Sequence, residues 1–419
     1  MVLKNKNLAI TGGDKTINLE KPHYIWPPIT EKTRNAVLRQ LDDKISLYDR
    51  SNVVERLELK LQDYHAKKHA LLTNSGTTSL YSMYVGAGIK EGDEVICPAY
   101  TFFATVTPLF HTGAVPILVD CQRDGNISPV EIEKKINKKT KGITITHMWG
   151  IPCDMDPIID LSRKYSIPIF EDASHAHGAE YKGKKVGTFG EAAAFSMQGK
   201  KTVSAGEGGF LLTDNDDIYY KALLLGHFNK RCLQEIPKGH ALSRFSISGI
   251  GLHLRIHPLA AALAEEQFDN LDTVLHNRRK AAERMTKELE NLPGLEMPQV
   301  PDHVKPTWYA FVMQYKAEEL EGLSIERFYD ALMAEGCTEL DRPGSTGPLN
   351  HLSLFHDPEP FFSSRRGYVD YSNASFPNAE KFYNNALKLP VWQAGEEDKI
   401  IDLYIAAFRR VIANYKELL

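Results

Sequence analysis

At 419 residues the chain is long enough for two or three domains and for a large buried core. A hydrophobic fraction of 42% and a charged fraction of 25% are ordinary for a globular protein, and a formal charge of -4 gives no electrostatic footprint for nucleic acid or an anionic membrane. No window approaches twenty uninterrupted apolar residues, and the start, Met-Val-Leu-Lys-Asn-Lys-Asn, lacks the apolar stretch of a signal peptide, so the expectation is a cytoplasmic protein without a membrane span.

Residues 1–30, broken by Gly12-Gly13 and Pro27-Pro28, read as an irregular arm. From Glu31 to His65 apolar residues recur at helical spacing. Ala70-Leu71-Leu72 is a short apolar run, and the polar string Asn74-Ser75-Gly76-Thr77-Thr78 after it opens another helical pattern. Strand-like runs then alternate with helical stretches: Glu94 to Pro98, Val115 to Val119, Gly142 to His147, and Pro168-Ile169-Phe170 ending at Glu171-Asp172. This alternation predicts βαβ units and a mainly parallel sheet, whose ligands sit at the carboxyl ends of the strands. A single long helical pattern runs from Leu259 to about Leu289, and beyond Pro293 a smaller α+β unit ends in a helix from Glu397 to about Lys416. The expected division is an arm over 1–30, a large domain over 31–270 and a small C-terminal domain over 271–419.

Five scattered cysteines without a Cys-x-x-Cys pair, and fifteen histidines without a His-Glu-x-x-His pattern, give no disulfide framework and no metal site. The chemistry lies elsewhere. Asp172 stands at the end of a buried strand, where a carboxylate can pair with a cationic ring nitrogen. An ordinary cap or structural ion pair would use the Glu171-Asp172 pair equally well. Ala192-Ala193-Ala194-Phe195-Ser196 runs into Met197-Gln198-Gly199-Lys200-Lys201 and then the glycine-rich Gly206-Glu207-Gly208-Gly209. A lysine is a Schiff-base nucleophile only when unprotonated, so it must be desolvated or placed beside positive charge. The Asn74–Thr78 turn before a helix offers free amides and hydroxyls to a phosphate. The aromatic run Tyr100-Thr101-Phe102-Phe103 supplies a face for a planar ring.

The order phosphate turn, aromatic, acidic strand end, serine, lysine resembles the fold-type-I pyridoxal phosphate enzymes. In particular it resembles the sugar aminotransferase family called DegT/DnrJ/EryC1/StrS. The segments that carry the resemblance are Asn74 to Leu80, Asp93 to Thr105, Val119-Asp120, Glu171 to Gly178, Phe195 to Lys201, Gly206 to Gly209, and Leu387-Lys388-Leu389-Pro390. The resemblance implies pyridoxal 5'-phosphate as cofactor, with Lys201 attached to it and serving later as proton shuttle. Lys201 stands five residues after Ser196, the family's spacing, which selects it over Lys200. Asp172 falls at the position that pairs with the pyridine nitrogen, His175 at that of the ring-hydroxyl partner, and Phe102 at that of the stacking aromatic. Gly76, Thr77 and Ser196 fall on the phosphate positions.

One position departs from the pattern. Family members often lend an asparagine from the second subunit to the phosphate, in a Gly-x-Asn-x-Arg segment. The matching stretch here is Gly251-Leu252-His253-Leu254-Arg255, which puts His253 in that place. Related dehydratases carry histidine instead of the lysine, whereas this chain keeps Lys201. The Gln198 to Gly209 stretch, with Gly12-Gly13 and Trp26-Pro27-Pro28, is similar to the branch acting on keto-cyclitols. Nucleotide-linked keto-sugars are the alternative acceptors, and a lyase or decarboxylase on the same fold is the alternative reaction. The amino donor implied is glutamate or glutamine, the assembly implied is a homodimer, and Arg342 and His351 are the substrate contacts implied by the loop from Asp341 to Leu354.

Overall fold

The alternating segments between residues 69 and 213 come together as one sheet in the computed structural model, which describes residues 7–227, 229–362 and 368–419. Its strands are β1 (His69–Thr73), β2 (Glu94–Pro98), β3 (Val115–Val119), β4 (Thr140–Thr146), β5 (Ile169–Asp172), β6 (Ala192–Ser196) and β7 (Gly209–Thr213). They lie side by side in the order β1-β7-β6-β5-β4-β2-β3. β7 runs against both neighbours, and the other pairs are parallel. The inner strands are buried on both faces, which is why β6 reads Ala-Ala-Ala-Phe-Ser rather than alternating with polar residues. The small alanines leave room for the helix Gly76–Gly86 to lie across β6 and β7.

Register puts the chemistry on one edge. Thr73 pairs with Gly209 and Gly209 with Ser196, while Thr146 is level with Asp172 and Asp172 with Ala194. The phosphate turn, the serine and the acidic strand end therefore share the carboxyl edge of the parallel strands. A short strand just beyond β2, Tyr100–Phe102, is covered by Thr346–Pro348 from the C-terminal part, so distant sequence roofs the same edge.

The remainder carries a three-stranded sheet of Leu295–Glu296, Phe311–Tyr315 and Ala386–Leu389, packed with helices Leu271–Leu289, Ile325–Ala334 and Asp398–Ala413. The core runs on without a gap, since Ile143 and Ile145 of β4 belong to the same buried cluster as Phe311, Phe328 and Phe408. The long helix expected from Leu259 to Leu289 is two helices, Pro258–Asp269 and Leu271–Leu289. Between them Asn270 sits at φ -98 and ψ -1, its side chain donating to the Glu266 carbonyl at 2.9 Å in place of a continued helical bond. Apolar periodicity passes straight through because both helices bury a face. The arm is anchored from Leu8 onward. Buried Glu335 accepts from the amides of Ala9 (2.8 Å) and Thr16 (3.0 Å), and Glu339 from that of His23 (2.8 Å). No helix among the described residues is long and apolar enough to cross a membrane.

Candidate active site

At the carboxyl edge lies a cavity of about 440 Å³ whose walls include Gly76, Thr77, Phe102, Asp172, His175, Ser196 and Lys201. Residues up to 125 positions apart in sequence thus meet around one space.

The turn after β1 is shaped by packing. Ser75 caps the helix that follows, its hydroxyl accepting from the Thr78 amide at 3.1 Å. Gly76 presses so closely on the end of β6 that a Cβ there would sit 2.5 Å from that of Ser196. The amides of Gly76 and Thr77 belong to the first helical turn, where the helix offers them no carbonyl of its own, and such a terminus favours an anion. Ser196 is held from behind: the Nε2–H of buried His177 donates to its carbonyl at 2.7 Å, and burial drives that imidazole down to about 3, so it stays neutral.

Strand alternation separates the two acidic residues of β5. Glu171 turns away from the cavity and is wholly buried, accepting from the amides of Gly187, Phe189 and Gly190 at 2.7 Å each and from His147 Nε2–H at 3.2 Å. Glu171 is the structural carboxylate of the pair. Asp172 faces the cavity, its Oδ2 taking the Thr105 hydroxyl at 2.7 Å and its Oδ1 the Ser174 amide at 3.1 Å. Thr101, Thr105 and Thr146 form a buried hydroxyl cluster beneath it.

Lys201 directs Nζ over the face of Tyr309, 4.5 Å from the ring centroid. Burial pushes its ammonium down to about 8, against the pull of Asp172 in the opposite direction. Neighbouring Lys200 is exposed and lines a separate cavity with Tyr24, Trp26 and Glu339. His175 lies in a stack of rings, 4.1 Å from Tyr309 and 5.7 Å from Trp149. Burial, then Lys201 and Lys388, hold His175 well below the ordinary histidine range, and its Nδ1 has no partner within the chain. Phe102 is about one-third exposed and shows its ring to the cavity beside Phe103.

Three expected residues lie elsewhere. The Arg342 guanidinium turns to the Asn384 carbonyl at 2.6 Å, while its loop neighbours Pro343, Ser345 and Thr346 reach the cavity. His351 is exposed, with Glu380 at 3.9 Å, and does not line the cavity. His253 is exposed outside the cavity of its own chain, its Nε2 2.7 Å from the Arg255 guanidinium. Tyr309, Lys388, Glu207, Trp149 and Thr105 are further wall residues that sequence reasoning missed. Lys388, Glu207 and Thr105 carried a signal, since they sit inside the Leu387 to Pro390, Gly206 to Gly209 and Asp93 to Thr105 segments.

Residues 28–406 match the DegT/DnrJ/EryC1/StrS aminotransferase family. The chain belongs to that family. It is 28% identical over 432 residues to the L-glutamine:scyllo-inosose aminotransferase of Streptomyces griseus, covering 99% of each chain. It is 31% identical over 392 residues to the GDP-perosamine synthase of Caulobacter vibrioides, covering 92% of this chain and 97% of that one. The E. coli GDP-4-keto-6-deoxy-D-mannose-3-dehydratase, solved with bound hydrated PLP, has the same fold at a TM-score of 0.79 and 23% identity, over 93% of this chain and 99% of that one.

As a member of this family the protein is a pyridoxal 5'-phosphate-dependent aminotransferase. Its own residues fit the cofactor. A cradle that a Cβ at position 76 would fill, a helix terminus with spare amides, an orphaned imidazole nitrogen and a depressed lysine all face one space. Among the described residues no cluster of three or more His, Cys, Asp or Glu could hold a metal ion.

Proposed function

We propose that this aminotransferase moves an amino group from glutamine or glutamate to the ketone of a polyhydroxylated ring, a keto-cyclitol or a keto-sugar. The observation that carries the reading is the pairing of Lys201 Nζ with Asp172 across one buried cavity. When bound there, the cofactor's ring supplies an electron sink for a substrate carbanion. The chain's residues do the rest. Gly76 and Thr77 amides and the Ser196 hydroxyl would hold the phosphate, and Phe102 would cover one ring face. Asp172, fixed by Thr105 and Ser174, would face the ring nitrogen. His175, held neutral by burial, has a partnerless Nδ1 that would be available to the ring hydroxyl. With burial pushing its ammonium down to about 8, Lys201 is unprotonated often enough at neutral pH to take up a proton and, once protonated, acidic enough to return it, and the Tyr309 face keeps its amine in place.

We further propose a homodimer with shared sites, in which His253 and Arg255 reach the partner's phosphate. Support comes from the exposure of His253 and from the apolar side chains around it, where Phe245, Ile247, Ile250 and Leu252 are all at least 40% exposed. The ring-ketone acceptor is supported by the relatives named above. Lys388 and Glu207 at the cavity wall are suited to hydroxyl groups.

The test is a panel of inososes and nucleotide-linked keto-sugars, each offered with glutamine and with glutamate, read by mass spectrometry for the aminated ring. Amination of at least one ring ketone is expected. Consumption of an amino acid equally fast without any ketone would replace the reading with a lyase or decarboxylase.

A further inference from the structure

The segment that carries Lys201 is gripped by two residues outside the cavity wall described above. The Trp26 indole N–H donates to the Lys201 carbonyl at 2.8 Å. Arg278, 1% exposed, lies 4.2 Å from the Trp26 ring and donates to Thr202 Oγ1 (3.1 Å), the Tyr24 hydroxyl (2.9 Å) and the Trp308 carbonyl (3.4 Å). Every hydrogen-bond acceptor it finds among the described residues is neutral, and the Glu397 carboxylate acts on it only through space, so the buried cation rests mainly on an aromatic face and dipoles. That arrangement is costly as mere filling, because an apolar side chain of the same volume would pack without desolvating a charge.

Its contacts point to another purpose. Thr202 follows Lys201, and Trp308 precedes Tyr309, the ring on which the lysine amine rests. Trp308 and Trp149 both adopt left-handed backbone, at φ +57 and +56, where a bulky side chain is strained. Tyr309 N also donates to the Trp149 carbonyl at 2.9 Å, tying the two strained residues together. One guanidinium thus bridges the Thr202 hydroxyl on the lysine side and the Trp308 carbonyl on the ring side of the amine–ring contact, and one indole holds the Lys201 carbonyl.

We propose that Trp26 and Arg278 are positioning residues, a brace from the N-terminal arm and the helix Leu271–Leu289 that holds the Lys201 amine on the Tyr309 face. The inference rests on Lys201 being the cofactor lysine, and capture of cofactor at Lys201 in the parent protein checks that premise separately.

The decisive variant is Trp26→Phe, which keeps an aromatic ring beside Arg278 and removes the donor together with part of the ring's bulk. Its control is Trp392→Phe, since Trp392 is likewise an indole donor to a backbone carbonyl, that of His23 in the arm (3.0 Å), and meets the edge of Tyr24 without hydrogen bonding to the Lys201 segment. Three readouts are taken. In cofactor-free protein, amide hydrogen exchange over residues 199–203 and the pH dependence of Lys201 amine labelling report the segment directly. In loaded protein, kcat is measured per bound cofactor. Trp26→Phe is expected to speed exchange at least about tenfold, move the labelling midpoint upward, and lower kcat between about tenfold and a hundredfold with donor KM little changed. Trp392→Phe is expected to lose comparable thermal stability with all three unchanged, and Arg278→Lys to fall with Trp26→Phe because it lacks the guanidinium fork. If Trp26→Phe keeps parental exchange, labelling and kcat, or if Trp392→Phe shifts them equally, the brace is overturned.

Discussion

Gly76→Ala is the most revealing small change in the phosphate turn, because the structure sets its cost. The added methyl would stand 2.5 Å from Ser196 Cβ, 2.8 Å from Ser196 Cα and 3.0 Å from its Oγ. Carbon atoms settle at about 3.5 Å or more, so a gap of about 1 Å must open. β6 cannot supply it, being paired on both sides and buried throughout. The turn must retreat, taking the Gly76 and Thr77 amides with it. Overpacking of this kind costs about 1–3 kcal/mol of stability. A phosphate held by charge-assisted bonds worth about 1.5–3 kcal/mol each loses most of one when its donors back away by that distance, so the cofactor's Kd is expected to rise about tenfold or more. The assay is a cofactor titration by absorbance, paired with a thermal melt of the cofactor-free protein. A lowered melt with an unchanged Kd would show that the turn is packed as described but does not hold the phosphate.

Asp172→Asn is expected to cut turnover at least about a hundredfold while cofactor Kd moves less than about tenfold, since the amide fills the same space without the charge. Near-parental turnover would mean another residue holds the ring nitrogen. Burial places the folded Lys201 near 8 against 10.5 for the free side chain, so the unfolded chain binds more protons between those values. The cofactor-free protein is therefore expected to gain stability as pH rises from about 8 to about 10.5, measured by urea midpoints, whereas Lys201→Met should be more stable than the parent below about 8 and lose that advantage across the window. Equal slopes for the two proteins would refute the buried-ammonium argument. Mixing inactive Lys201→Ala with inactive Arg255→Ala under subunit exchange is expected to restore part of the activity through one intact shared site. Demonstrated exchange without recovery would remove the Arg255 segment from the partner's site.

What the sequence shows of this site is what lies close in sequence to a strand end. Ser196, Lys201 and Asp172 are legible because the fold needs a buried strand and the chemistry needs a polar group at its tip, both written within ten residues. The choice between Glu171 and Asp172 becomes physical only with the sheet in place, when alternation sends one into the interior and the other to the cavity. Tyr309 carries no local mark and matters because the left-handed turns at Trp149 and Trp308 bring it in, while Thr105 closes a marked segment but gains its role only when the fold sets it against Asp172. In the loop holding Arg342, Pro343, Ser345 and Thr346 face the cavity while the charged side chain turns to the Asn384 carbonyl. Spacing in a loop does not tell which way a side chain points. The break at Asn270 escaped because both helices continue one apolar stripe.

The central claim is that Lys201 takes the cofactor, and its adjacent Lys200 makes an internal control. The protein is incubated with pyridoxal 5'-phosphate, the lysine–cofactor linkage is made permanent with borohydride, and the peptide spanning residues 198–209 is fragmented by mass spectrometry. The account predicts the pyridoxyl mass on Lys201 alone, with a Lys200→Ala protein labelled equally well. Label on Lys200, or an undiminished yield from Lys201→Ala, would contradict it.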